Sequence, residues 1–364
     1  MANLKTSPPG GDLSSQALLR WYQRRRRDLP WRHRSDPYAI WVSEIMLQQT
    51  RVETVLPYFQ RFLERFPDLD ELAAANIGDV LALWSGLGYY RRARLMHQAA
   101  QKIVTEGDGE FPSTLEGLRA LPGVGEYTAA AVGSIAFGLI EPSLDGNVKR
   151  VLGRVLALEV PVERAAGRIR DRARLLLDPD RPGDSNQALM EIGATLCTPR
   201  RAKCDLCPLE PDCLAAASGD PTLYPPATNP PAAKVSQRLV IAVARRDDSY
   251  LLFRRPEESE LLAGMWEFPW VELGEEDPNV LETALADGYG GTWSLGRKLG
   301  SIRHAITYRS YEIDIREARI DADDGIAEGA ESAWLREMDI VTRPHGSIAR
   351  KVIATLAATA QDGA

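Results

Sequence analysis

The chain's four cysteines, Cys197, Cys204, Cys207 and Cys213, follow a C-x6-C-x2-C-x5-C spacing, and none occurs elsewhere in its 364 residues. Thiols this close together in a loop are a metal-ligand set. Disulfides are the alternative, but no apolar secretory segment opens the chain, so an oxidising compartment is not expected. Spacing alone leaves zinc and an iron–sulfur cluster equally open.

Two carboxylates stand where they could do acid–base work. Glu44 lies in YAIWVSEIMLQQTRVETV, just after Asp36-Pro37, a helix-start signal. The helix expected there puts Trp41, Ile45, Val52 and Val55 on a core stripe and Glu44, Gln48 and Arg51 together on another face. A helical glutamate ordinarily faces water. Here Gln48, Gln49, Thr50 and the rings of Trp31, Tyr38 and Trp41 suit a pocket for a flat heterocycle. Asp145, in LDGNVKR (144–150), is expected to cap a helix, where hydrogen bonds and the helix dipole hold it ionised. Taken alone, capping is its whole task. Beside Glu44 it suggests more, because one protonated and one ionised carboxyl together cleave glycosidic bonds through an oxocarbenium-like state.

The elements that must position these groups are helical. In FPSTLEGLRALPGVGEYTAAAVGSIAFG (111–138), Ser113 and Glu116 form a capping box for a short helix. LPGVG interrupts, and an Ala-rich helix follows from Tyr127. Gly123 and Gly125 permit a tight turn whose backbone N–H groups face outward. A helix–hairpin–helix of this kind, over 113–138, grips a DNA phosphate without reading sequence.

Net charge is −7, which at first argues against a nucleic-acid partner. Yet residues 1–220 balance 28 Lys and Arg with 28 Asp and Glu, so the acidity belongs to the remainder. Arg24 to Arg27, the set Arg91, Arg92 and Arg94, and the set Arg200, Arg201 and Lys203 are basic clusters that could each meet phosphate. PTLYPPATNPP (221–231) is a proline-rich spacer. Before it the apolar spacing is helical; after it RLVIAVA, YLLF and SYEIDI have strand character, and Ser347 to Ala358 has helix character. The expected organisation is an all-α domain over 1–220, a linker over 221–235 and an α+β domain over 236–364. No apolar run is long enough to span a bilayer, and a cytoplasmic monomer is expected.

LPGVG, LDGNVKR and the cysteine string, in that order, resemble the helix–hairpin–helix iron–sulfur DNA glycosylase superfamily. SEIMLQQTRV, GLGYYRRAR (86–94) and the C-terminal extension are similar to its adenine DNA glycosylases, the MutY family, which remove adenine mispaired with 8-oxoguanine or G in duplex DNA. The resemblance implies a [4Fe-4S] cluster on Cys197, Cys204, Cys207 and Cys213. It implies that Glu44 is the acid, that Asp145 stabilises the cationic sugar, and that Asn147 orients the two. Tyr127 stands where thymine-glycol relatives carry the Schiff-base lysine, which implies hydrolysis without strand cleavage. Trp31, Arg32 and Gln187 match the adenine pocket. Gln49 and Tyr89 match residues inserted into the base stack, which offsets the cost of flipping a base out. GMWEFPW (264–270) is similar to the family's nudix-like lesion reader, and the hydrolase carboxylate signature is absent after it, so recognition rather than hydrolysis is implied. Thr307 and Tyr308 would contact the lesion, although Ile306-Thr307-Tyr308 departs from the Phe-Ser-His of many members. The other classes open are an iron–sulfur glycosylase/lyase for oxidised pyrimidines and a non-catalytic iron–sulfur DNA-binding protein.

Overall fold

Asp36 starts the helix that carries Glu44: its carboxylate accepts from the N–H groups of Tyr38 and Ala39, with Pro37 in the first turn. That helix ends at Leu47. Gln49 adopts φ 56°, and a second helix, Val52–Arg65, begins after Arg51. The single helix expected over this stretch is therefore two, and Glu44, Gln48 and Arg51 do not share one helical face. Backbone in the left-handed region cannot continue a right-handed helix.

The computed structural model describes residues 11–107, 109–226, 235–259, 261–274, 277–306, 309–326 and 331–361. Contacts divide the chain into two units, Met1–Ala73 with Gln98–Pro230, and Ala74–His97 with Pro231–Ala364. The segment 74–97, helical in sequence and lying within the range expected for the first domain, packs with the second unit.

The first unit is helical. The hairpin comprises helices Leu115–Arg119 and Glu126–Phe137, joined through Gly123 at φ 76°. The first of these is capped by Thr114, whose hydroxyl accepts from Gly117 N–H, and not by Ser113. Both hydroxyl residues satisfy a capping pattern, and the backbone enters the helix one residue later than expected. Helices Gly146–Val155 and Pro182–Thr195 bury Val148, Val151, Leu152, Leu189 and Ile192 in a shared core with Leu18 and Tyr22. Cys197, Cys207 and Cys213 pack against that core. The start of the proline-rich segment is no free spacer: a Cβ on Gly153 would meet the Pro225 ring at 3.1 Å, and Arg154 donates to Tyr224 O.

The second unit holds a mixed sheet. Its strands are β1 (Val235–Arg246), β2 (Ser249–Arg254), β3 (Trp266–Glu267), β4 (Trp270–Glu272), β5 (Gly290–Ile306), β6 (Arg309–Ile326) and β7 (Glu331–Arg336). β1 runs parallel to β6, and β5 closes antiparallel on β6; β2 pairs with β3 and β7. The stretch 239–244 is a continuous apolar run because both of its faces are covered. Leu239, Ile241 and Val243 pack with Val352 and Ile353 of helix Ser347–Gln361. Val240, Ala242 and Ala244 pack with Leu281 and Leu285 of helix Pro278–Tyr289. Helices on both faces of a mixed sheet give the α+β domain expected from the sequence.

Candidate active site and cysteine loop

Glu44 is 6% exposed, and the Tyr127 hydroxyl donates to its Oε2 at 2.7 Å. Burial pushes the Glu44 carboxyl up to about 7; the Tyr127 hydrogen bond opposes this, the negative charge of Asp145 adds to it, and Arg32 opposes it. Glu44 thus stands within electrostatic reach of both an acid and a guanidinium. The Tyr127 hydroxyl is itself raised well above its ordinary range by burial and by the two carboxylates, so it stays a donor.

Asp145 caps helix Gly146–Val155 as expected, accepting from Val148 N–H at 2.6 Å and from Asn147 Nδ2 at 2.8 Å. These bonds lower its pKa and favour the ionised form, and burial acts against them. Burial raises it, and outweighs the lowering by Val148, Asn147 and Arg150. Asn147 is fixed in turn, because Arg150 Nη2 donates to its Oδ1 at 2.9 Å.

Arg32 follows Trp31 in a short 3-10 turn, Pro30–His33. Its guanidinium donates to Glu191 Oε2 at 2.7 Å and to Arg27 O at 3.0 Å. Glu191, 1% exposed, also takes bonds from the Arg27 backbone, Nε and Nη2. Those hydrogen bonds hold its carboxyl down at about 2 against burial. Gln187, half-buried, precedes Glu191 by one helical turn, and Met190 Sδ lies 3.7 Å from the Tyr127 hydroxyl. Helix Pro182–Thr195 therefore presents Gln187, Met190 and Glu191 to one region. Trp31, Tyr38 and Trp41 also make core contacts: Trp31 meets Phe59 edge-on, Trp41 meets Phe111, and the Tyr38 hydroxyl bonds Phe66 O.

Sequence reasoning missed the buried polar residues Glu191, Asn186 and Arg154. Besides Glu191, Asn186 is fully buried: its Nδ2 donates to Ser134 Oγ and Glu141 O, and its Oδ1 accepts from Ser143 N, each at 2.9 Å. This fixes the loop that delivers Asp145. Arg154, 2% exposed, donates to Cys197 Sγ at 3.2 Å, to Thr198 O, to Pro199 O and to Tyr224 O. A cavity of about 210 Å³ adjoins Tyr127 and Leu144, lined also by Lys149, Glu163 and Arg170.

Cys197, Cys204, Cys207 and Cys213 line one cavity with Val151, Val155, Leu196 and Leu209. Among the described residues no three His, Cys, Asp or Glu side chains are grouped so as to hold a single metal ion. Burial pushes Cys207 up to about 12, and the other three cysteines add to it, so four thiolates here need a cationic centre among them.

The basic clusters are not uniform. Arg27 is committed to Glu191 and Arg94 to Glu257 and Ala263 O, whereas Arg24, Arg25, Arg200, Arg201 and Lys203 are exposed. Gly123 and Gly125 are exposed at the hairpin, with Gly125 capping the second helix. Gln49 is exposed, and so is Tyr89, in the second unit, at φ 50°. Thr307 and Tyr308 lie outside the described residues.

A family model described as "HhH-GPD superfamily base excision DNA repair protein" matches residues 42–171, and a NUDIX domain model matches residues 239–355. Fold and matches together define a helix–hairpin–helix DNA glycosylase fold joined to a nudix-type domain. Among solved structures, a thermostable thymine-DNA glycosylase superposes with a TM-score of 0.53 at 27% identity, covering 57% of this chain and 97% of that one. The adenine DNA glycosylase of Mus musculus is 41% identical over 83% of this chain and 70% of its own length. That of Rattus norvegicus is 41% identical over 70% of this chain and 60% of its own. The chain belongs to the adenine DNA glycosylase family. It spans 60% of the length of the rat relative.

Proposed function

We propose that this protein hydrolyses adenine from duplex DNA where it is mispaired with 8-oxoguanine or G. The observation that carries the reading is Glu44: a buried carboxyl poised near neutrality, hydrogen-bonded by Tyr127 and facing the field of Asp145. The proton on Glu44 passes to the flipped adenine as its bond to the sugar breaks. Asp145, held by Val148 N–H and Asn147, then supplies negative charge to the cationic sugar, and water adds to it, giving up a proton to the Glu44 carboxylate. The N-terminal dipole of helix Gly146–Val155 favours the ionised form of Asp145 in this role. Trp31, Arg32 and Gln187 receive the base, and Gln49 and Tyr89 enter the stack beside its partner. Gly123 and Gly125 grip a phosphate. Thr307 and Tyr308 contact the lesion. Tyr127 cannot form a Schiff base, so the strand stays intact.

Cys197, Cys204, Cys207 and Cys213 would hold a [4Fe-4S] cluster. Their lining of one shared cavity supports a single group held by all four. When bound, that group serves as a structural clasp for the loop, which carries the exposed Arg200, Arg201 and Lys203.

The test is a duplex with A opposite 8-oxoguanine, incubated with enzyme and split with alkali afterwards. Adenine release that shows a break only after alkali supports the reading. Breaks without alkali at thymine glycol indicate the glycosylase/lyase instead. No release from either substrate indicates a non-catalytic DNA-binding protein.

A further inference from the structure

We propose that Tyr90 is a positioning residue that holds its neighbour Tyr89 in an insertion-ready pose. This rests on the reading of Tyr89 as the residue that enters the DNA stack. The loop Ser85–Tyr90 is conformationally costly. Gly86 and Gly88 have φ 101° and 76°, and Tyr89, a bulky residue, has φ 50°. Left-handed backbone at a tyrosine costs on the order of 1–2 kcal/mol and persists only where its surroundings enforce it. Yet the Tyr89 side chain is 46% exposed. The enforcement must come from the residues around it.

Those residues belong to the second unit, and Tyr90 is central. Its hydroxyl accepts from Gly86 N–H at 3.1 Å and donates to His345 O at 3.0 Å, using both of its hydrogen-bonding capacities in one place. His345 N–H returns a bond to Ser85 Oγ at 3.0 Å, and Arg350 donates to Ser85 O at 3.0 Å. Ser85 and His345 are both buried. One turn of the loop is thereby pinned at both ends to the segment 345–350. The other side is fixed by Gly88 O, which accepts from Trp84 Nε1 at 3.2 Å and Arg92 Nη2 at 3.0 Å. The Arg92 guanidinium lies 5.6 Å from the Tyr89 ring centre, beneath the exposed ring. Further along, Arg94 bonds Ala263 O and Glu257, and Gly264 at φ 65° leaves room for it: a Cβ there would meet Arg94 Nη2 at 3.0 Å. The aromatic that enters DNA is thus mounted on the same body as the nudix-type sheet, and Tyr90 is the bolt between them.

The experiment is a double-mutant cycle read by DNA affinity. The duplex carries 2′-fluoro-2′-deoxyadenosine, whose glycosidic bond resists cleavage, opposite 8-oxoguanine. Binding is measured for the native protein, Tyr90→Phe, Tyr89→Ala and the double variant, with an undamaged duplex as reference. Tyr89→Ala is expected to weaken binding about tenfold, in the range of lost base stacking. Tyr90→Phe is expected to weaken it about fivefold, the worth of an ordinary hydrogen bond, with affinity for undamaged duplex unchanged. In the Tyr89→Ala background, Tyr90→Phe should then cost nothing further. An equal loss in both backgrounds overturns the proposal, since Tyr90 would not act through Tyr89. A loss for Tyr89→Ala with none for Tyr90→Phe also overturns it while leaving Tyr89 as the inserting residue. No loss for Tyr89→Ala removes the underlying reading and the proposal with it. Ser85→Ala, which removes the other end of the pin, must show the same dependence on Tyr89. Near-UV circular dichroism confirms that each variant is folded.

Discussion

Tyr127 and Glu44, 83 positions apart in sequence, share a 2.7 Å hydrogen bond in which the phenol donates and the carboxylate oxygen Oε2 accepts. The bond favours the charged form of Glu44, and burial favours the neutral one. Burial prevails, leaving the acid close to half-protonated at neutral pH.

The rate of adenine release at enzyme excess should therefore fall as pH rises through about 7, where Glu44 loses its proton. Tyr127→Phe removes a bond that lowers this pKa, so the descending limb should move to higher pH. A limb that stays in place in that variant would show that another group titrates.

Glu44→Gln should abolish release and keep DNA binding, because the amide has no proton to give. It should also change stability. A carboxyl whose folded pKa is raised contributes stability below its unfolded value of 4.5 and loses it as pH climbs through about 7. The variant is thus expected to match the native protein near pH 4 and to exceed it by about 1–3 kcal/mol above pH 7. Denaturant midpoints across that range check the sign.

Asn186→Ala strands Ser143 N–H and Glu141 O in the interior. The expected loss is about 2–4 kcal/mol of stability. Because those groups fix the loop before Asp145, single-turnover release should fall by more than DNA affinity does. Equal losses would separate Asn186 from the site.

Arg154→Met withdraws four hydrogen bonds from the cysteine loop and its flanks, one of them to Cys197 Sγ. Purified variant is expected to contain less iron per chain and less of the broad visible absorbance of an iron–sulfur centre than native protein. Full iron content in a folded variant would show that the loop assembles without this anchor.

Much of this arrangement is legible before folding, and the exceptions share a cause. Asp36-Pro37, Asp145 and LPGVG announce themselves through local chemistry, since caps and turns are decided within a few residues. The break after Leu47 is not announced: Gln48-Gln49-Thr50-Arg51 has no glycine or proline, and the left-handed Gln49 comes from tertiary context. Glu191, Asn186 and Arg154 went unread because their partners are distant, 164 positions away for Arg27 and Glu191. One signal was available. Glu191 and Asn186 sit among Ala188, Leu189 and Ile192 on a helix whose apolar residues are buried, and a charged or amide group on such a stripe must have found a partner. Thr114 in place of Ser113 is an error of one residue, the usual uncertainty of a helix end.

Gln49 and Tyr89 have a consequence for attempts to toughen this protein. Both hold left-handed backbone that glycine adopts freely, so Gln49→Gly and Tyr89→Gly each relieve on the order of 1 kcal/mol of conformational penalty. Selection for heat resistance alone would favour glycine at such positions, and at Gln49 and Tyr89 it would remove the side chains proposed to enter the DNA stack.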